Sequence, residues 1–362
     1  MKKFLFLIVG ITILFPIKIK AISTNATSSI LMDIDTHRIL YSNNIHSQRS
    51  VASISKIMTA ILAIESEKLD DKVTIGDEIN KSYGSGIYIK KGEILTLRDL
   101  VYGLMLRSGN DAALSIANYV SKDTDSFVKL MNEKAKELGM TNTEFNNPSG
   151  LDEEKGNYST AYDMALLMSY AYQNSEFKKI TGTKKYTLKT NKNTYVWNNK
   201  NKLLNTYKYT TGGKTGFTKI AKRTLVTTAS KDDMNLVVVT LNDGNDWEDH
   251  KKLFEYGFNN YKKYQILDKN NFKVEKDDYY KNNELYIKNN YSYPIQSGEE
   301  QNILVKMELK KIRKLKDNTN VGKAIIYLGD KKIHEEKIYV KIKKEKKESF
   351  FTKFKKWLGN LW

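Results

Sequence analysis

The sequence predicts an α+β fold, an antiparallel sheet flanked by helices, followed by a small all-β domain and a C-terminal amphipathic helix. Three observations carry this prediction. Strand-like segments at residues 28–34 and 38–41, and again at 223–229 and 236–241, bracket a stretch whose apolar residues recur at helical spacing. From about Gln265, short apolar segments are separated by polar turns, the texture of a small β domain. Residues 349–362 place aromatics and Leu at helical spacing with Lys between them.

In chain order, Met1-Lys2-Lys3 precedes an apolar run from Phe4 to Ile17 and then Lys18-Ile19-Lys20-Ala21-Ile22-Ser23. A positive end, a short apolar run and small residues make a secretory signal, assigned to residues 1–21. The run falls short of the roughly 20 apolar residues that span a bilayer. The alternative is an uncleaved single-span anchor; either way the body of the protein faces outward.

With 362 residues and 40% hydrophobic content, the chain can hold two domains and at least one sizeable core. It contains no Cys, which excludes disulfides and thiolate metal sites. Its four His residues include no pair at helical metal-ligand spacing. A metallohydrolase and a His-based triad are therefore unsupported, and no cofactor is expected. The formal charge of +18, from 60 basic and 42 acidic residues, suits anionic wall polymers and lipid headgroups. Nucleic acid is the competing partner, but the export signal and the lack of a nucleic-acid-binding motif argue against it.

The first hairpin, turning at Asp35-Thr36-His37, leads into Val51-Ala52-Ser53-Ile54-Ser55-Lys56. Residues three apart share one face of a helix, so the Ser53 hydroxyl and the Lys56 amine come within hydrogen-bonding reach. A Ser hydroxyl needs a base, and a Lys whose pKa is lowered by burial and a cationic neighbour can serve as one. Ser126…Lys129 and Ser175…Lys178 have the same spacing but lie in charged surroundings and read as solvated faces. Ser53 instead opens the apolar series Ile57, Met58, Ile61, Leu62 and Ile64, which can bury the Lys.

A Gly-rich Tyr83-Gly84-Ser85-Gly86 follows, and then Thr96-Leu97-Arg98-Asp99, a capping box opening a helix over 100–106. That helix ends at Ser108-Gly109-Asn110, where the Gly lets both side chains point into one space. The same residues also suit an ordinary C-cap and N-cap pair. Residues 147–152 form a turn, Ser159 or Thr160 caps another helix, and residues 184–196 alternate as half-buried strands do.

Gly213-Lys214-Thr215-Gly216-Phe217 is the third chemical stretch. Its glycines let a substrate backbone lie along the strand, and Lys214 and Thr215 offer a charge and a hydroxyl to a terminal carboxylate. A tight hairpin turn with a solvated Lys is the competing reading. An amphipathic helix follows over 247–261.

Together these stretches resemble the active-site motifs of the penicillin-recognising serine enzymes. Order and separation agree, with 55 residues from Ser53 to Ser108 and 104 from Asn110 to Lys214. Within that group the chain is most similar to the low-molecular-mass D-alanyl-D-alanine carboxypeptidases, with further support from Asn147-Pro148-Ser149-Gly150-Leu151-Asp152 and Tyr158-Ser159-Thr160-Ala161. The resemblance implies a serine β-lactamase/transpeptidase-like domain at 22–262, an all-β domain at 263–343, and a membrane-anchoring amphipathic helix at 344–362. It places the protein at the outer face of the cytoplasmic membrane.

It further implies Ser53 as nucleophile, Lys56 as base and Ser108 as proton relay. Asn110, Lys214, Thr215, Gly216 and Phe217 become substrate-binding, with the backbone N–H groups of Ser53 and Phe217 as oxyanion donors. The implied substrate is the D-alanyl-D-alanine end of a peptidoglycan stem peptide, with β-lactams as acylating inhibitors. Two departures stand out. Thr36-His37 occupies a turn where the family commonly has Gly, and Lys200 falls in a segment that often carries Arg. A D,D-endopeptidase would share every site residue, a β-lactamase would need a deacylating base, and a non-catalytic wall-binding scaffold would leave all three motifs unused.

Overall fold

The computed structural model describes residues 22–152, 155–274 and 278–342. Its architecture grows from the run Leu236-Val237-Val238-Val239, apolar on both sides of the pleat. Such a run must be covered on both faces. It lies in the strand Met234–Leu241, at the centre of a five-stranded sheet. Across that sheet the order is Ile39–Asn43, Ser28–Asp33, Met234–Leu241, Lys222–Lys231 and Thr210–Thr218. All pairings are antiparallel, with Ile30 opposite Val239 and Val226 opposite both Val239 and Lys214.

Alternation along the strands divides the core in two. Ile30, Met32, Val226, Val237 and Val239 face a cluster of helices. Leu31, Leu236, Val238 and Ala229 face Leu253 and Phe254 of the helix Asp246–Asn260. Burying each such side chain is worth about 1.5–3 kcal/mol. The central strand is therefore the fixed reference from which the edge strand Thr210–Thr218 is hung.

On the helical face, Lys56–Glu65 is buried from residue 56 through 64. The helix Leu97–Arg107 begins three residues before the expected boundary, because the capping box of Thr96 and Asp99 sets its N-terminus at Thr96. Thr160, rather than Ser159, caps Ala161–Tyr172 by accepting from the Asp163 N–H at 3.0 Å. The alternating stretch is the hairpin of Lys185–Lys189 and Thr194–Asn198. In the first turn His37 takes φ 55°, the left-handed region where Gly is the easier residue, and Asp33 holds the turn by accepting from Thr36.

The expected all-β domain is present. Glu284–Ile287, Lys331–Lys341, Thr319–Leu328 and Ile303–Leu309 form an antiparallel sheet with its own core, including Val321, Ile326, Ile338 and Val340. Arg38 joins it to the first hairpin, reaching Glu299 at 2.7 Å and the Pro294 carbonyl at 2.5 Å. The proposed signal and the C-terminal amphipathic helix lie outside the described residues. Among the described residues no helix is long and apolar enough to cross a membrane.

Candidate active site

The nucleophile turn is held by the sheet. Ala52–Ser55 forms a single 3-10 turn ahead of the helix Lys56–Glu65, and Ala52 takes φ 50°. A non-Gly residue there is strained by about 1–2 kcal/mol. Thr224 of the neighbouring strand holds the Val51 carbonyl at 3.0 Å, and Ser55 holds that of Ala52 at 2.8 Å. The turn leaves Ser53 partly exposed at its apex and Lys56 fully buried beneath it.

Lys56 Nζ lies 3.1 Å from Ser53 Oγ and 2.7 Å from Asn110 Oδ1, and it also contacts the Ser149 carbonyl. None of these partners is a carboxylate. Burial, with the positive charge of Lys200 adding to it, brings the Lys56 pKa from 10.5 down to about 7. An uncharged amine has two N–H donors, which Asn110 and Ser149 accept, and one lone pair, which remains for the Ser53 hydroxyl.

The Ser149 carbonyl is aimed by a compact turn. Asn147 Oδ1 accepts from the backbone N–H of Ser149 at 3.1 Å and of Gly150 at 2.6 Å, while Thr59 of the nucleophile helix donates to the Pro148 carbonyl at 2.7 Å. Gly150 has φ 77°, and a Cβ there would lie 2.1 Å from the Ala52 carbonyl oxygen. Only Gly allows the turn to press this closely on the nucleophile.

Ser108 and Asn110 are more than a pair of helix caps: the N-cap between them is Gly109. Ser108 ends Leu97–Arg107 in the left-handed region at φ 65°, and Asn110 opens Asn110–Ser121. Asn110 binds the Gly-rich loop through the Tyr83 carbonyl at 2.6 Å, and Asp111 accepts from the Ile87 and Tyr88 N–H groups. Lys200 donates to Ser85 Oγ at 3.2 Å from the other side.

The third motif is the edge strand. Lys214 is 2% exposed rather than solvated, and its Nζ lies 3.0 Å from Ser108 Oγ and 2.7 Å from the Thr215 carbonyl. Burial, with Lys56 and Lys200 nearby, holds its pKa well below the ordinary 10.5. At Gly216 a Cβ would come within 3.0 Å of the Ser53 nitrogen, so Gly lets the strand close on the nucleophile turn.

A cavity of about 410 Å³ opens between these pieces. Ser53 and Ser108 lie on its floor, Ser85 and Lys200 on one wall, and Thr215, Gly216 and Phe217 along the strand. Lys202, Arg223, Asp246 and Trp247 complete the lining. Among the described residues no group of three His, Cys, Asp or Glu could hold a metal ion.

Comparison with known proteins identifies the family. The family model for D-alanyl-D-alanine carboxypeptidase matches residues 17–245. The chain belongs to the D-alanyl-D-alanine carboxypeptidase family. A model for the C-terminal domain of penicillin-binding protein 5 matches residues 261–346. The D-alanyl-D-alanine carboxypeptidase DacF of Bacillus subtilis is 33% identical over 356 residues, covering 92% of this chain and 90% of that one. DacC of Escherichia coli is 35% identical over 259 residues, 66% of this chain and 63% of its own length. Among solved structures, penicillin binding protein 5 from Haemophilus influenzae matches with TM-score 0.74 and 26% identity, over 90% of this chain and 98% of that one.

Of the eight residues singled out from sequence, Ser53, Ser108, Thr215, Gly216 and Phe217 line one cavity, and Lys56, Asn110 and Lys214 join them through hydrogen bonds. Phe217, expected to act through its backbone, also presents a side chain that is 64% exposed along the strand. Sequence reasoning missed the Ser149 carbonyl, Ser85 and the wall of Arg223, Asp246 and Trp247. A carbonyl has no residue-type signature, Ser85 lies in a Gly-rich stretch with no evident role, and Arg223, Asp246 and Trp247 sit in no motif that the residues alone announce.

Proposed function

We propose that this carboxypeptidase-family protein is a serine D-alanyl-D-alanine carboxypeptidase acting on peptidoglycan stem peptides, with Ser53 as nucleophile and Lys56 as base. The observation that carries it is a buried amine, with no carboxylate partner, 3.1 Å from a Ser hydroxyl on a cavity floor. Neutral Lys56 takes the Ser53 proton as Ser53 Oγ attacks the carbonyl carbon of the penultimate D-alanine. The tetrahedral intermediate draws on the N–H groups of Ser53 and Phe217, each typically worth about 2.7–4 kcal/mol of barrier.

Breaking the C–N bond expels the terminal D-alanine, whose nitrogen receives a proton through Ser108. Ser108 is suited to this because its hydroxyl touches Lys214 and lies on the same floor as Ser53. Water then attacks the acyl-enzyme and restores the Ser53 hydroxyl. A β-lactam enters the first half of the same sequence and remains bound as the ester. Thr215 and Gly216 line the path of the substrate backbone, and Asn110 holds Lys56.

The domain division at 22–262 and 263–343 follows the change in strand pattern. Export through residues 1–21, and attachment of residues 344–362 to an anionic membrane surface, rest on their composition alone.

The test is release of D-alanine from a pentapeptide ending in D-alanyl-D-alanine, alongside intact-mass measurement after penicillin treatment. Wild-type protein is expected to release D-alanine and gain one penicillin mass, and Ser53→Ala to do neither. Folded wild-type protein without an adduct would refute the assignment. Cross-linked muropeptides in the same assay separate carboxypeptidase from endopeptidase action.

A further inference from the structure

The carboxypeptidase reading needs the backbone N–H groups of Ser53 and Phe217 to converge on one oxyanion, yet they sit on different elements. Ser53 belongs to the turn Ala52–Ser55, and Phe217 to the edge strand Thr210–Thr218. Among the described residues no backbone hydrogen bond joins that turn to that strand. Side chains must therefore hold the gap to within the roughly 0.5 Å that a working site tolerates.

At its beginning the strand is pinned well before Phe217. Thr181 exchanges two hydrogen bonds with Gly213, both 2.9 Å, and Asn201 donates to the Gly212 carbonyl at 3.2 Å. Its far end is pinned at Asp152. Thr218 Oγ1 donates to Asp152 Oδ2, and Ser50 Oγ donates to Asp152 Oδ1 at 2.6 Å. Thr218 directly follows Phe217, and Ser50 lies three residues before Ser53. One carboxylate thus takes a hydroxyl from the edge strand and another from the segment entering the nucleophile turn. Hydrogen bonds from a hydroxyl to a carboxylate are of the short, strong kind.

The surroundings fix this carboxylate and leave it room. The Thr218 hydroxyl also accepts from the Ala221 N–H at 2.9 Å, so its own proton is committed to Asp152. On the other side, Asp152 ends the turn in which Asn147 accepts from the Leu151 N–H at 3.2 Å and donates to the Leu151 carbonyl at 2.9 Å. A Cβ at Gly156 would lie 2.5 Å from Asp152 Oδ1, so Gly there keeps the space open.

We propose that Asp152 is a positioning residue for acyl transfer: by bridging Thr218 and Ser50 it sets the gap between the Phe217 and Ser53 N–H groups. It is not among the residues lining the cavity, and it acts through the two that carry the donors. The inference rests on the carboxypeptidase reading and adds what holds its oxyanion site to width.

The test separates recognition of the tetrahedral state from recognition of the ground state. With a fluorescent penicillin, stopped-flow kinetics give the dissociation constant of the first complex and the first-order acylation rate constant, which does not depend on how much protein is folded. A peptidyl boronic acid, which forms a tetrahedral adduct on serine, gives a second measure. Asp152→Asn keeps the shape but turns an NH2 group towards one of the two hydroxyls. It is expected to lower the acylation rate constant by about 10- to 100-fold and to weaken boronic acid binding by a similar factor. The first dissociation constant should change by less than about threefold, because the gap matters only once the oxyanion forms.

Thr218→Val should do the same, while Thr218→Ser, which keeps the hydroxyl, should stay within about twofold of wild type. Combining Asp152→Asn with Thr218→Val should cost little more than either alone, since both open one latch. Asp152→Asn and Thr218→Val proteins that both acylate within about twofold of wild type, or that weaken the first complex with the acylation rate constant intact, would overturn this inference alone. Wild-type protein that forms no penicillin adduct would overturn the carboxypeptidase reading, and this inference with it.

Discussion

Acidifying the medium from about pH 8 to pH 5 should switch off acylation by titrating a single buried amine. Protonated Lys56 has no lone pair and cannot act as a base, and its environment brings its pKa from 10.5 to about 7. That shift corresponds to about 5 kcal/mol of lost preference for the charged form. Burial is the larger cause and the Lys200 charge the next. With a midpoint near 7, the neutral fraction approaches unity above about pH 8 and falls to about 1% at pH 5. The second-order rate constant for acylation by a fluorescent penicillin should therefore drop about 100-fold over that range, with a slope of one on a logarithmic plot.

Lys200→Gln removes a positive neighbour, so the charged form of Lys56 becomes easier to keep and the midpoint moves to higher pH. The variant should lose more activity at pH 7 than at pH 9. A wild-type acylation rate flat between pH 5 and 8 would refute the neutral-lysine mechanism. A midpoint unmoved in Lys200→Gln would refute the electrostatic part.

The same shift has a stability consequence of fixed sign. Between about pH 7 and 10.5 the unfolded chain holds a proton on Lys56 that the folded chain lacks, so stability rises with pH across that window. Lys56→Met should make this part of a pH series of urea denaturations less steep, leaving the share of Lys214, whose pKa is lowered too. Asp243 has the opposite sense: burial raises its pKa from 3.8 to about 6, so its ionised form is penalised above pH 6 and relieved as pH falls towards 4. Asp243→Asn should raise the melting temperature at pH 7, with the gain fading by about pH 4. Gly150→Ala forces a Cβ to 2.1 Å from the Ala52 carbonyl at φ 77°. Acylation should fall by at least about tenfold as Ser149 and the nucleophile turn separate, with a loss of a few kcal/mol in denaturant titration.

Much of the fold was legible because its signals are local. The Thr96 and Asp99 box named a helix start, the apolar run at 236–241 named a strand, and the break near Gln265 named a second domain. The site was legible where chemistry lies within a few residues, as with Ser53 and Lys56. Lys214 read as a solvated or substrate-facing charge; the structure buries it against Ser108, 106 positions away, because the edge strand closes on the helical face.

The sequence by itself determined the elements, the second domain, and the identity of a hydroxyl, an amine and a cationic strand able to do acyl transfer. Periodicity, caps and short spacings are properties of neighbouring residues, and they survive without a fold. Only the tertiary structure decided that Ser149 offers a carbonyl to Lys56, that both site lysines are dry, and that Arg223 rests on Asp246 and Trp247 beside Thr215. Burial and long-range pairing depend on which distant segments close the cavity, and no window of sequence contains both partners.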